Sequence, residues 1–212
     1  MNLIKYVQLI LSLSTIWAAA ARAEVLPPDW REIRFMPDNY EVTLASDAAF
    51  EGHFGASVRR TAPNVRPGDF GGFIQVARAA PWRGQRVALR AWLKSEEADS
   101  GQMWLRIDSA NNRLAMDNMD NRPVKGSTGW ALYEIVMDVP MEAEYLFYGL
   151  LLAGGGRVDF DNVQFLPAPV GTRTTNQYKE GAMKLKHGEV YTPPSIVLTV
   201  PSNLDFERPR VP

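Results

Sequence analysis

Short apolar alternations of period two, interrupted every few residues by Gly, Pro, Asn or Asp, run through this chain from residue 40 to residue 165, and no stretch sustains a 3.6-residue apolar period. A period of two places successive side chains on opposite faces of a pleated sheet, so a chain patterned this way buries itself as strands. The candidate strands are 40–44, 56–60, 72–77, 85–94, 102–108, 131–138, 144–152 and 157–165. Strands at such spacing predict an all-β fold, a two-sheet antiparallel jelly-roll sandwich over residues 24–166. Residues 167–212 are proline-bounded and poor in alternation, and read as an extended linker or arm with one short strand, "SIVLTV", near its end.

The alternation also assigns faces. In "RVALRAWLK", Val87, Leu89, Ala91 and Leu93 face the core, which leaves Arg90 and Trp92 outward; in "MWLRID", Met103, Leu105 and Ile107 face the core, with Trp104 and Arg106 outward. Two successive strands thus set a tryptophan beside an arginine on a face expected to be wet. Flat aromatics stack on sugar rings while charged groups bond the hydroxyls, so these four residues are candidate ligand contacts. The alternative is that Trp92 and Trp104 stack on each other or lie beneath a loop, covered by Arg90 and Arg106. "YLFYGLLL" is apolar on both faces, as suits a central strand covered on both sides.

Residues 1–23, "MNLIKYVQLILSLSTIWAAAARA", carry Lys5, an apolar run and Ala21-Arg22-Ala23, the three-part layout of a secretory signal peptide. The expected destination is the periplasm or the exterior, with no transmembrane span after cleavage. Losing Lys5 and Arg22 moves the formal charge only from −1 to −3, so there is no electrostatic case for nucleic acid. There is no cysteine, which removes disulfides and thiolate chemistry. The only histidines, His53 and His187, lie in unrelated contexts, and neither a His-based metal site nor a Ser-His-Asp triad has an evident assembly. Acids are numerous, but no spacing selects the carboxylate pair of a glycosidase.

Three further features bear on a site. The stretch "LAMDNMDNRPVKGSTGW" reads as a long crossing of about 14 residues. Asp117, Asn118 and Asn121 can pin its path, and Asp117, Asn118, Arg122 and Lys125 are its candidate ligand contacts, the last two foremost and replaceable by alanine without loss of folding. Gly154, Gly155 and Gly156 predict a tight positive-φ turn closing a hairpin; a strand follows rather than a helix, which argues against phosphate binding. Asp159 and Asp161, two apart, share a face and are candidate ligands of a structural Ca²⁺; no other cofactor is indicated.

"PWRGQRVALRAWLKS", "LAMDNMDNRPVKGSTGWALYEIVMDVP" and "YGLLLAGGGRVDFDNVQF" resemble a bacterial family of β-sandwich domains, similar in build to galactose-binding-like and carbohydrate-binding-module jelly rolls. The resemblance covers residues 40–165 and implies a binding fold with no catalytic residues to carry over. It also implies a calcium near Asp161, whose companion ligands come from an opening "N..FE" motif. This chain begins "PDWREIRFMPDNYEV" instead, while "NLDFE" stands at residues 203–207, either as a terminal strand completing the sheet or as a tail. The combined expectation is an exported, non-catalytic module for carbohydrate or glycan. The alternatives are an envelope-protein interaction module that adds "SIVLTV" to a partner's sheet edge, and a hydrolase without recognisable motif.

Overall fold

The computed structural model describes residues 26, 29–34, 39–64, 66–169, 171–176 and 190–208. The signal-peptide reading of residues 1–23 lies outside them. Nine strands form: β1 (Arg31–Arg34), β2 (Tyr40–Ala45), β3 (Gly55–Arg60), β4 (Phe70–Arg78), β5 (Arg86–Asp108), β6 (Arg113–Asp117), β7 (Val124–Asp138), β8 (Tyr145–Ala153) and β9 (Arg157–Pro167). Every pairing between these strands is antiparallel.

The two strands expected at 85–94 and 102–108 are one, and its length makes the sandwich. The first half of β5 lies between β7 and β9, and the second half between β6 and β8. One layer therefore runs β2-β3-β9-β5-β7 and the other β1-β4-β8-β5-β6, joined where β5 turns the corner. Strands that switch layers do so at bends and bulges. Here Glu97 takes φ 48°, and the pairing of β5 with β7 slips at Ser95, Ala98 and Gly101.

The triglycine is the matching corner of the neighbouring strand pair. β8 and β9 do not pair with each other; each pairs with its own half of β5, so Gly154–Gly156 carries the chain between layers and closes no hairpin. The predicted positive φ is present at Gly154 and Gly156. A Cβ on Gly156 would lie 2.4 Å from the Glu97 carbonyl oxygen, so the two corners can nest only because this residue is glycine. Asp99 fastens them, its Oδ2 accepting from the Gly155 amide at 2.6 Å.

The core lies between the layers. Val87, Leu89, Ala91, Leu93, Met103, Leu105 and Ile107 are all buried in it, as their alternation requires. Aromatic edges cross from layer to layer: Phe73 of β4 meets Phe160 of β9 at 5.4 Å, and Trp30 packs edge-on against both and against Tyr148.

The described residues beyond 167 complete this core rather than hang from it. Thr175 bonds the edge of β7 through Val136. Leu198 makes a single parallel bridge to Ala77, where β1 has ended, and this is all of "SIVLTV" that pairs. Ser202 exchanges hydrogen bonds with the buried Gln75, the Leu204 carbonyl accepts from Val163, and the Phe206 ring sits fully buried 5.1 Å from Trp30. "NLDFE" is thus the segment that closes one open side of the sandwich.

Candidate functional site

The two outer faces of the sandwich carry the sequence-nominated residues, and they differ. On the β1-β4-β8-β5-β6 layer Trp104 points outward as its alternation demands, yet it is only 5% exposed. It clusters with Val76 and Phe147, and Ile33, Ile74, Met116 and Val197 pack against them; Val197 belongs to the arm. Arg106 lies over the Phe147 ring at 4.1 Å and donates to the buried Asp108, which also accepts from the Tyr191 hydroxyl at 3.0 Å. Burial raises the Asp108 carboxyl above its usual range. Trp104 therefore sits in a small second core that Val197 of the arm helps to cover, and Arg106 stays partly exposed beside it. The alternation was right about direction and silent about what would come to rest on that side.

On the β2-β3-β9-β5-β7 layer Trp92 is half-exposed, and Phe50 stacks on it with ring centroids 4.0 Å apart and planes 13° from parallel. Trp130, also half-exposed, meets Phe50 at 5.6 Å in an edge contact. Leu132, directly across from Trp92, is 50% exposed. Arg90 bonds Glu134 on the neighbouring strand. The result is a continuous aromatic and aliphatic surface bordered by a charged pair.

Phe50 rides on residues 46–54, which three carboxylates hold down. Asp47 is bidentate with Arg157, and that guanidinium holds the Asp47 carboxyl below its ordinary value. Asp161 Oδ2 accepts from the Phe50 and Glu51 amides at 2.8 and 3.1 Å. Glu207, at the end of "NLDFE", accepts from the His53 and Phe54 amides at 2.7 and 2.9 Å. Gly52 has φ 74°, and a Cβ there would meet Glu207 Oε1 at 2.4 Å, so the close approach of the tail depends on it. Burial pushes the Asp161 carboxyl up to about 6, against the lowering effect of its amide donors.

The same contacts decide how well Asp159 and Asp161 suit a calcium ion. Asp159 Oδ1 accepts from Arg157 and Ser57, and both Asp161 oxygens face N–H groups, Oδ1 taking the Asn162 amide at 2.6 Å. A hard cation needs several oxygens turned toward it and N–H dipoles turned away. The pair does not fit Ca²⁺ in this arrangement, and no group of three or more His, Cys, Asp or Glu among the described residues is placed to hold a metal.

The segment 114–130 is not a long crossing. β6 runs to Asp117 and β7 begins at Val124, so only residues 118–123 connect them. Lys125, Gly126, Ser127, Thr128 and Gly129 are strand residues of an edge whose slipped register hides any alternation. Asp117 is fully buried, accepts from the Met119 amide, and pairs in a fork with Arg122 at 2.8 and 3.1 Å. Arg122 also donates to Asn121 and to the Glu134 carbonyl. Its replacement by alanine would strand a buried carboxylate, so the expectation that this residue is dispensable for folding is corrected. Asn118 is half-buried and Lys125 exposed.

Two residues of this face are missing from the sequence expectations. Phe50 sits in "AAFEGHFG", which has no alternation. Trp130 was legible, because "WALYE" puts it on the face of Leu132 and Glu134.

These features define an all-β jelly-roll sandwich whose two outer faces differ among the described residues, Trp104 being buried on one and Trp92 partly exposed on the other. No family model matches the chain. A sequence relative, the uncharacterized HTH-type transcriptional regulator YbfP of Bacillus subtilis (strain 168), is 32% identical over 142 residues; these make up 66% of this chain and 43% of that protein, so the chain spans less than half of the relative. Among solved structures, the enzymatically active domain of tailspike protein 4 of bacteriophage CBA120 is similar with a TM-score of 0.52 at 16% identity, over 66% of this chain and 20% of that one, a likeness of fold. A family 16 carbohydrate-binding module (TM-score 0.46, 16% identity, 60% of this chain and 86% of that one) is also similar. So is the C-terminal family 22 carbohydrate-binding module of Clostridium thermocellum Xyn10B (0.46, 13%, 74% and 98%). Among the described residues, no helix is long and apolar enough to cross a membrane.

Proposed function

We propose that the chain is an exported, non-catalytic carbohydrate-binding module whose ligand lies on the outer face of the β2-β3-β9-β5-β7 layer. The observation that carries this reading is the half-exposed Trp92–Phe50–Trp130 group beside the exposed Leu132. A sugar ring offers C–H groups to flat aromatics and hydroxyls to the polar border, and Arg90 and Glu134 supply that border. Three carboxylates near the face are already committed, Glu134 to Arg90, Asp159 to Arg157 and Asp161 to backbone amides, which supports binding rather than hydrolysis. Export rests on the pattern of residues 1–23.

Isothermal titration of residues 24–212 against a panel of neutral and acidic polysaccharides at millimolar concentration tests the proposal. Binding to at least one, weakened about tenfold or more by Trp130→Ala with the circular dichroism spectrum unchanged, is the expected result. No binding to any member of the panel overturns it.

A further inference from the structure

Beside the open face, the β6–β7 turn and residues 171–176 of the arm enclose a cleft of about 570 Å³ lined by Asn121, Arg122, Arg173, Thr174, Thr175 and Asn176. Two elements hold its walls in place. The Thr175 amide donates to the Val136 carbonyl at 2.8 Å and its hydroxyl accepts from the Val136 amide at 2.9 Å, which fixes the arm along the β7 edge. Arg122 is clamped from behind by the buried Asp117.

Among the described residues the lining carries two guanidiniums, two side-chain amides, two hydroxyls and no acid. Asp117 spends its negative charge on Arg122 from within the fold. Arg173 is exposed and forms no ion pair with a described residue, so an anion entering the cleft reaches it without first breaking one. The Nη hydrogens of Arg122 are taken by Asp117, Asn121 and the Glu134 carbonyl, so Arg173 is the guanidinium that takes carboxylate or sulfate oxygens two at a time, while the amides and the Thr174 hydroxyl suit the sugar hydroxyls beside them. The cleft borders the aromatic face through Glu134, whose carbonyl accepts from Arg122 and whose side chain bonds Arg90.

We infer that this cleft receives the acidic group of a carboxylate- or sulfate-bearing sugar, so that the ligand of the open face is an acidic glycan; this deepens the carbohydrate reading and rests on it. Nitrogen-15 NMR titrations of residues 24–212 with glucuronate, glucose 6-sulfate, inorganic sulfate and glucose test it. Glucuronate or glucose 6-sulfate is expected to shift the side-chain resonances of Arg173, Asn121 and Asn176, and which of the two acts more strongly names the acidic group. Glucose should leave them still, and Arg173→Ala should reduce the acidic-sugar response about tenfold without altering the rest of the spectrum. Equal responses to glucose and glucuronate, no response to either acidic sugar, or a response to inorganic sulfate alone overturns the inference. The Trp130 indole resonance, followed with neutral oligosaccharides in the same samples, reports on the aromatic face separately, so the failure of one reading is told apart from failure of the other.

Discussion

Trp104 and Trp92 are sequence twins: each sits outward in an alternating strand, each is two residues from an arginine, and both lie on the same long β5. On one face the arm arrives, Val197 and Met116 close over Trp104, and the tryptophan becomes core. On the other the described part of the arm meets the β7 edge at Thr175, and among the described residues Phe50 is the ring stacked on Trp92. Apolar area removed from water is worth about 25 cal/mol per Å² wherever it occurs, so either face would be stabilised by a cover. What separates them is which face the chain's own remaining residues reach.

Substitutions can break or sharpen this contrast. The largest effect is expected where the arm ends: Phe206→Ala should cost about 5 kcal/mol in urea unfolding, because a buried ring in contact with Trp30, Phe73 and Phe160 leaves a cavity between the layers. A cost near zero would mean that the tail is not part of the core. Trp104→Ala should follow at about 4 kcal/mol, with any saccharide affinity retained by the fraction that stays folded. If binding were lost and stability kept, the assignment of covered and open faces would be reversed.

Arg122→Ala should destabilise by about 3 kcal/mol, since the Asp117 carboxylate stays buried without its forked partner; the double variant Arg122→Ala, Asp117→Ala should recover part of that loss. The pH dependence is expected to be roughly 2 kcal/mol. Asp161 has its carboxyl raised in the folded protein to about 6, above the value of 3.8 it takes when unfolded, so the folded state binds the proton more tightly. Its contribution is fully present below about pH 4 and is lost as the pH rises through 6. Thermal melts from pH 4 to 7 should show this slope, and Asp161→Asn should flatten it. The smallest effect on stability is expected at Trp130→Ala, below about 1 kcal/mol, the same variant that should weaken ligand most.

Much of the architecture was legible. The inward sets of β5 follow from alternation, because the pleat allows each residue only two directions, and the double-sided burial of β8 follows from its unbroken apolar run. β1 was missed because "REIR" is only four residues long and polar, and β6 because "RLAMD" runs straight into its turn. The length of β5 was missed because "SEEADSG", a stretch that reads as a loop, is where the strand changes layers. Arg122 looked dispensable for folding because the sequence shows an arginine near a carboxylate but does not show that the carboxylate is fully buried.

The sequence by itself determined that the chain is a β-sandwich and which side of each strand is apolar, since periodicity is a local property. It is the path of the chain in three dimensions that sets "NLDFE" against the open side of the sandwich, lets Glu207 hold the loop carrying Phe50, and leaves Trp104 buried while Trp92 stays partly exposed beneath Phe50. They rest on residues far apart in the chain meeting in space, 207 against 53, 206 against 30 and 197 against the cluster of 104. Contacts at that separation come from the path of the whole chain, and no short pattern encodes them.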